Sequence, residues 1–362
     1  MRYLHNLAVS HIATGAALLG TGGGGDPAIN LLIARKAIET YGPVKLIDVN
    51  ELPLDAWVLP VGGVGAPTVG AEKLLSWTEI DESFAVSNAA LPGGAYATMP
   101  IEIGGGNALL PFVLAMRHGL PVVDADTLGR AFPEMQMSSL ALDKVPMRAF
   151  SLADEKGNTC LIKASNPSWM EALARPVIDA MGGAATACAY ACTGEEVRTS
   201  ALHGTVSLSE RIGRALMDRD VNRGDPLAAL IAETAAHVLL GAKVVELETK
   251  TDGGFVRGGV TLAGLGADNG RRVEVAFQNE YLLATEGTSL LATTPDLICI
   301  LDRDTAMPIS TENLRYGARV TLIAIACHPK WRSAAGIRAT GPRYFGFGFD
   351  YVPVEKLIGS TL

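Results

Sequence analysis

Apolar segments that run into glycine clusters constrain this chain more than any other feature. Leu18 to Pro27 reads LLGTGGGGDP, Met99 to Asn107 reads MPIEIGGGN, and LPVV at Leu120 to Val123 leads through Asp124 and Asp126 to Gly129. Ordering glycine costs more backbone entropy than ordering any other residue. Four in a row therefore imply a backbone that takes positive φ or lies close against something, as a ligand-facing loop or as a tight structural turn. Between the clusters, short apolar strands (Val44 to Val49, Trp57 to Val61) alternate with helical spacing (Ile29 to Ile38, Ala108 to His118). Asp26-Pro27 reads as the cap and first turn of a helix Ala28 to Thr40, and Gly62 to Pro67 as a further glycine loop at a strand's end. The expectation is a doubly wound α/β domain over residues 1–165, with Gly22 to Gly25, Gly104 to Gly106 and Asp124 to Arg130 converging on one sheet edge.

Residues 166–362 read differently. Helical patterns run from Pro167 to Met181, Ser207 to Leu216 and Pro226 to Leu240. After Gly241 strands dominate: Lys243 to Leu247, Phe255 to Leu262, Arg272 to Gln278, Tyr281 to Thr285, Leu297 to Asp302 and Arg319 to Ala326. Alternation in RRVEVAFQNEYLLA indicates antiparallel pairing, so this half is expected to be an α+β domain. The aromatic tail Gly341 to Glu355 is expected to be extended and packed on a neighbour, and the apolar, glycine-rich chain to form a homo-oligomer, most simply a two-fold dimer.

A net charge of −8 without any Lys/Arg run argues against nucleic acid or an anionic membrane as partner. No window of 18 uninterrupted apolar residues exists. The N-terminal apolar stretch is broken by Ser10, His11 and Thr14, unlike a signal peptide. Five scattered cysteines fit reduced thiols and a cytoplasmic location, with Cys188 and Cys192 as packing residues. The glycine run matches neither GxGxxG nor GxxxxGK[ST], and no HxH or HxxxH spacing supports a metal. A small-molecule substrate without cofactor is the expectation.

Taken together, LGTGGGGDP, PIEIGGGNALLP, GLPVVDADTLGRAFPEMQM, PDLICILD, LRYG and GPRYFGFGFDYVPVE resemble the DUF917 family, which is linked to S-methyl thiohydantoin desulfurase. The resemblance covers nearly the whole chain and is most specific over Gly119 to Met137. It implies a two-domain enzyme hydrolysing an S-methyl thiohydantoin to a hydantoin and methanethiol. Genes of the family often neighbour hydantoinase/oxoprolinase-type proteins, so it also implies such a partner. The alternative is a non-catalytic accessory or ligand-binding subunit of that system.

Displacement at an amidine-like ring carbon needs a positioned water, a base, and donors for developing charge. Asp124 and Asp126 could raise one another's pKa and supply the base, or could bond a turn and cap the next helix. Glu102 stands where an apolar strand would bury it, which demands a partner or ligand. His328, between IAIAC and Pro329, is the histidine candidate. Gly22, Gly23, Gly24, Gly25, Gly105, Gly106 and Asn107 are candidates for contacting substrate, with Asn107 also a helix cap. Asp26, a cap or a catalytic group by its position, is counted with the substrate-binding candidates. Arg130 could clamp a substrate carboxylate or pair with Glu134, which would then complete the substrate-binding set.

Overall fold

The computed structural model describes residues 1–66, 69, 72–73, 76–148, 150–252 and 255–359; Pro67 of the fourth glycine cluster lies outside them. Its first strands in chain order are β1 (Arg2–Leu4), β2 (Val44–Ile47), β3 (Trp57–Gly65), β4 (Ala97–Pro100), β5 (Val122–Val123), β6 (Ala125–Asp126), β7 (Phe150–Ala153), β8 (Thr159–Ile162), β9 (Ala184–Cys188), β10 (Cys192–Thr193) and β11 (Leu202–His203). The first sheet has the order β1-β2-β5-β4-β3-β9-β7-β8, with β10 on β3, while β6 and β11 form a separate ribbon. Strands β2, β5, β4 and β3 run parallel, and antiparallel strands flank them.

Successive strand residues point to opposite faces, so the apolar runs of the parallel strands fill two layers at once. Leu46, Leu59 and Val122 join one core, with residues from helices Trp77–Ala89 and Leu110–His118. Their neighbours Ile47, Val58 and Val123 join the other, with Met170, Ala174 and Ile178 of helix Pro167–Ala180. This is the expected α/β layering.

The second sheet consists of β12 (His237–Asp252), β13 (Phe255–Gly264), β14 (Arg272–Gln278), β15 (Glu280–Glu286), β16 (Ser289–Thr293), β17 (Leu297–Asp302) and β18 (Arg319–Ile325), in the order β16-β15-β14-β13-β12-β18-β17 and antiparallel throughout. This half-barrel closes on its own core of Val260, Leu262, Val275, Ile298 and Leu322. The alternating residues Cys299, Leu301 and Ile323 instead join the core around helix Asn6–Leu19, so β17 and β18 dock the second sheet on the first half.

Several elements differ from the sequence expectations. The helical pattern from Pro226 ends at Thr234, Ala235 turns left-handed at φ 52°, and His237 to Leu240 are strand. Apolar runs of that length satisfy helix and buried strand alike. Gly62 to Gly65 are not a loop but the end of β3, paired with β9. Gly65 is required there: its φ is +126° and an added Cβ would stand 2.2 Å from the Gly183 carbonyl oxygen. Strand β9 escaped notice because AATAC carries little β-propensity. The tail turns through Pro342–Phe345 and bonds to the chain's own first half through Tyr344. Among the described residues no helix is long and apolar enough to cross a membrane.

Candidate active site

The four-glycine run is first of all a junction. Gly20 to Gly25 follow helix Asn6–Leu19, and the Thr21 and Gly22 carbonyls accept from Tyr281 N at 2.7 Å and Thr311 N at 2.9 Å of the second half. A Cβ at Gly22 would meet the Tyr281 ring at 2.6 Å, one at Gly23 would lie 2.1 Å from Glu280 Oε1, and one at Gly24 would lie 2.4 Å from the Gly104 carbonyl oxygen. Close backbone approach thus explains Gly22 to Gly24, while Gly25 has open space and a φ of +77°. Gly105 packs on Gly24 in turn. Of these candidates Gly24, Gly25 and Gly106 line the cavity described next, whereas Gly22, Gly23 and Gly105 do not.

Beyond the junction lies a cavity of about 420 Å³, walled by Gly24 to Asp26, Glu102, Gly106 and Asn107, Leu128 and Phe132 to Met135, β9 with Tyr190, and the Asn279-Glu280 turn of the second sheet. Glu102 reaches it from the loop after β4. Its Oε1 accepts from Asn107 Nδ2 at 2.5 Å, while Oε2 is buried without a partner. Asn107 is not the helix cap expected of it: its amide clamps Gly63, accepting from that N–H at 2.6 Å and donating to that carbonyl at 3.0 Å. Burial, helped by the charge of Asp126, pushes the Glu102 carboxyl up to about 8 against the pull of its hydrogen bonds.

Glu280 enters from the opposite side. Asn279 adopts φ 58° and fastens to Val256 through both its N–H and its side-chain oxygen, which turns the chain sharply and points Glu280 back toward the glycine junction. Glu280 is buried, its Oε2 has no partner, and burial together with the charge of Glu102 raises its pKa well above the carboxylate range. Thr186 of β9 adds a third buried oxygen without a partner. Glu280, Thr186 and Tyr190 were missed in the sequence. The one available signal was the polar triplet Gln278-Asn279-Glu280, which interrupts an alternating run where a tight turn must fall.

Other candidates are placed elsewhere. Arg130 is 1% exposed and does not line the cavity; it donates to the Ala131, Pro295 and Asp296 carbonyls and to Thr21 Oγ1, and stacks 4.7 Å over Phe132. It is neither a substrate clamp nor paired with Glu134, which lines the cavity and accepts from Tyr344 Oη at 2.6 Å and from Gln136. Asp124 lies outside the cavity and accepts from Ser207 N at 3.0 Å and from the Ser207 hydroxyl, holding the start of helix Thr205–Met217. Asp126 is fully buried behind the wall, where one oxygen gathers the N–H groups of Ile103, Leu128 and Gly129 at 2.9, 3.2 and 2.7 Å. It therefore fixes the segment carrying Glu102 against the 128–129 turn, and burial raises its own pKa to about 7. His328 caps the turn Pro329–Arg332, accepting from Lys330 N, away from the cavity. Asp26 caps helix Pro27–Tyr41 through Ala28 N at 2.8 Å, accepts from Asn313, and borders the cavity. Among the described residues no three His, Cys, Asp or Glu side chains gather to hold a metal ion.

Two family models together match nearly the whole chain: the S-Me-THD-like N-terminal domain over residues 7–164 and the S-Me-THD-like C-terminal domain over residues 165–354. A solved structure of a protein from Chromobacterium violaceum superposes with a TM-score of 0.81, covering 98% of this chain and 100% of that one at 22% identity, so the two share a fold. No curated protein matches the chain.

Proposed function

The chain belongs to the S-Me-THD-like family, and from that premise we propose that it hydrolyses an S-methyl thiohydantoin-type ring with Glu102 as general base and Glu280 as general acid. One observation carries the reading: two buried glutamates, one from each half, face the same cavity, each with an oxygen that no protein group satisfies. An accessory subunit would not need convergent titratable groups. Two carboxyls that repel one another titrate in separate steps, so one is ionised while the other keeps its proton. Burial raises both carboxyls, Glu102 to about 8 and Glu280 well above the usual carboxylate value, and the Asn107 amide that donates to Glu102 favours its ionised form, which assigns the base to Glu102.

In this mechanism the Glu102 carboxylate takes a proton from water as the oxygen bonds to the carbon bearing sulfur. The C=N electron pair moves to the ring nitrogen, which receives the Glu280 proton. The carbon–sulfur bond then breaks with its electrons on sulfur, which takes the proton held by Glu102. The new hydroxyl returns its proton to Glu280 as it becomes the carbonyl. Hydantoin and methanethiol leave, and both glutamates are restored. Asn107 orients Glu102, and the Gly63 clamp orients Asn107. Methanethiol release from S-methyl thiohydantoin, followed with a thiol reagent, tests the reading. Turnover by the unaltered chain and its loss in Glu102→Gln and Glu280→Gln would support it; no release by the unaltered chain would overturn it.

A further inference from the structure

The cavity is larger than the ring assigned to it, and its two ends differ in chemistry. Its volume of about 420 Å³ lies within the roughly 300–1,000 Å³ of pockets that take drug-sized ligands, whereas an unsubstituted S-methyl thiohydantoin is far smaller. At one end stand the three buried oxygens without a partner, on Glu102, Glu280 and Thr186. Thr186 fixes that end in the sheet: it pairs with Gly63, which the Asn107 amide clamps beside Glu102. Ala185, its neighbour in β9, turns its side chain to the opposite face of the strand and packs against the second hydrophobic core.

The cavity continues into that core. Val64, Met135 and Ala185, which pack against it, and Phe150, Ala189 and Tyr190, which belong to it, all line the cavity. No side-chain oxygen or nitrogen of these residues lacks a partner: the Tyr190 hydroxyl donates to the Met135 carbonyl at 3.1 Å. The lining cations are engaged as well, Lys73 by Glu155 and the Met181 and Ala184 carbonyls, Arg175 by Glu171 and the Pro133 carbonyl. A polar arm placed in this branch would give up its water without a new partner, whereas an apolar arm gains from the same desolvation. Resting on the reading of this cavity as the ring site, we infer that its substrate is a ring carrying a bulky apolar arm of the arylmethyl or branched-alkyl class. The ring sits at the end marked by Glu102, Thr186 and Glu280, and the arm lies in the branch, on the sheet face that helix Pro167–Ala180 covers. The small side chains of Ala185 and Ala189 keep that branch open, which makes them specificity-determining positions.

Calorimetric titration tests the arm apart from the chemistry, using hydantoin and hydantoins that carry an isobutyl, a benzyl or a carbamoylethyl arm on the saturated ring carbon. The benzyl compound is expected to bind roughly ten- to a hundredfold tighter than hydantoin, the scale of burying one aromatic side chain, with the isobutyl compound between them. The carbamoylethyl arm, neutral but polar, is expected to add no more than about twofold. Ala185→Leu, which fills the branch, is expected to narrow the benzyl advantage to within about threefold. Equal binding of hydantoin and the benzyl compound, a carbamoylethyl arm that binds as tightly as the benzyl one, or an undiminished benzyl advantage in folded Ala185→Leu overturns the inference. If Ala185→Leu loses its native circular dichroism, the graded series in the unaltered chain decides alone. Methanethiol release reports separately: a benzyl preference without release from any S-methyl thiohydantoin would sink the proposed reaction and leave the apolar arm standing. Release without any preference for the arm would do the reverse.

Discussion

Arg130 and Glu102 are both charged residues in apolar, glycine-flanked stretches, and both end up buried, yet the protein treats them in opposite ways. Around Arg130 the chain supplies three carbonyls, a threonine hydroxyl and an aromatic face. Around Glu102 it supplies one strong side-chain donor and leaves the other oxygen bare toward a cavity. A buried charge saturated by protein groups is architecture; one left half-satisfied at a cavity wall retains capacity for a ligand. The contrast lies in the number of partners rather than in residue type or burial.

The sharpest way to break this comparison is to neutralise the half-satisfied side. Glu102→Gln keeps the size and the bond to Asn107 but loses the base, so kcat is expected to fall by roughly 10²–10⁴-fold, the usual worth of general base catalysis. The fold should survive, as read by circular dichroism. A variant within a few-fold of normal turnover would place the chemistry elsewhere. On the saturated side, Arg130→Met should lower stability by chemical denaturation, because it strands four acceptors at the seam between the halves, each buried group left unpaired costing about 1–3 kcal/mol. An unchanged denaturation midpoint would mean that the seam does not depend on it.

The junction glycines sharpen the comparison at smaller scale. Gly23→Ala would push directly on Glu280 Oε1, so a loss of turnover of about tenfold is expected with a stability cost of about 1–3 kcal/mol for overpacking. Gly25→Ala meets nothing and carries only the strain of positive φ, about 1–2 kcal/mol. If both variants lost turnover equally, Gly23 would not be what seats Glu280.

Titration gives a subtler test. The native Glu102 carboxyl sits near 8 against an ordinary 4.5, and Asp126 near 7 against 3.8. Between those values the folded protein holds protons that the unfolded chain has released, so stability falls as pH rises from about 4.5 to about 8. Glu102→Gln removes its share, and its Tm should decline less than the parent's between pH 5 and 8. In turnover the same group acts as a base, so kcat/KM should rise with pH until about 8. Parallel melting curves, or a rate falling over that range, would contradict the assignment.

The α/β layering and most strands of the half-barrel were legible in the sequence, because period-2 alternation and glycine-terminated apolar runs are local signals. Glu102 was legible too, as a carboxylate with nowhere to go on an apolar strand. Glu280 was not, since its meaning depends on a hairpin from the other half arriving at the same cavity, more than 170 residues away in the chain. Arg130 and the glycine run misled for the same reason: isolation in sequence says nothing about how many distant carbonyls or ring atoms will close around a residue. Strand β9 was hidden because three of its five residues are Ala, which signals neither a strand nor a buried face.

The smallest expected effect belongs to Asp124, which in sequence looked as good a base as Asp126. Both of its oxygens are occupied by Ser207, through the backbone N–H and the hydroxyl, and it lies outside the cavity. Asn at this position can still accept the N–H bond with its carbonyl oxygen, so only the charge beside the start of helix Thr205–Met217 is lost. That charge favours the helix N-terminus by about 0.3–1 kcal/mol. Asp124→Asn is therefore expected to leave turnover within about threefold of the parent while lowering stability by about 1 kcal/mol. A loss of a hundredfold or more with unaltered folding would move the base from Glu102 to this edge of the first sheet. The distinction between saturated and half-satisfied carboxylates would then fail as a guide to this protein.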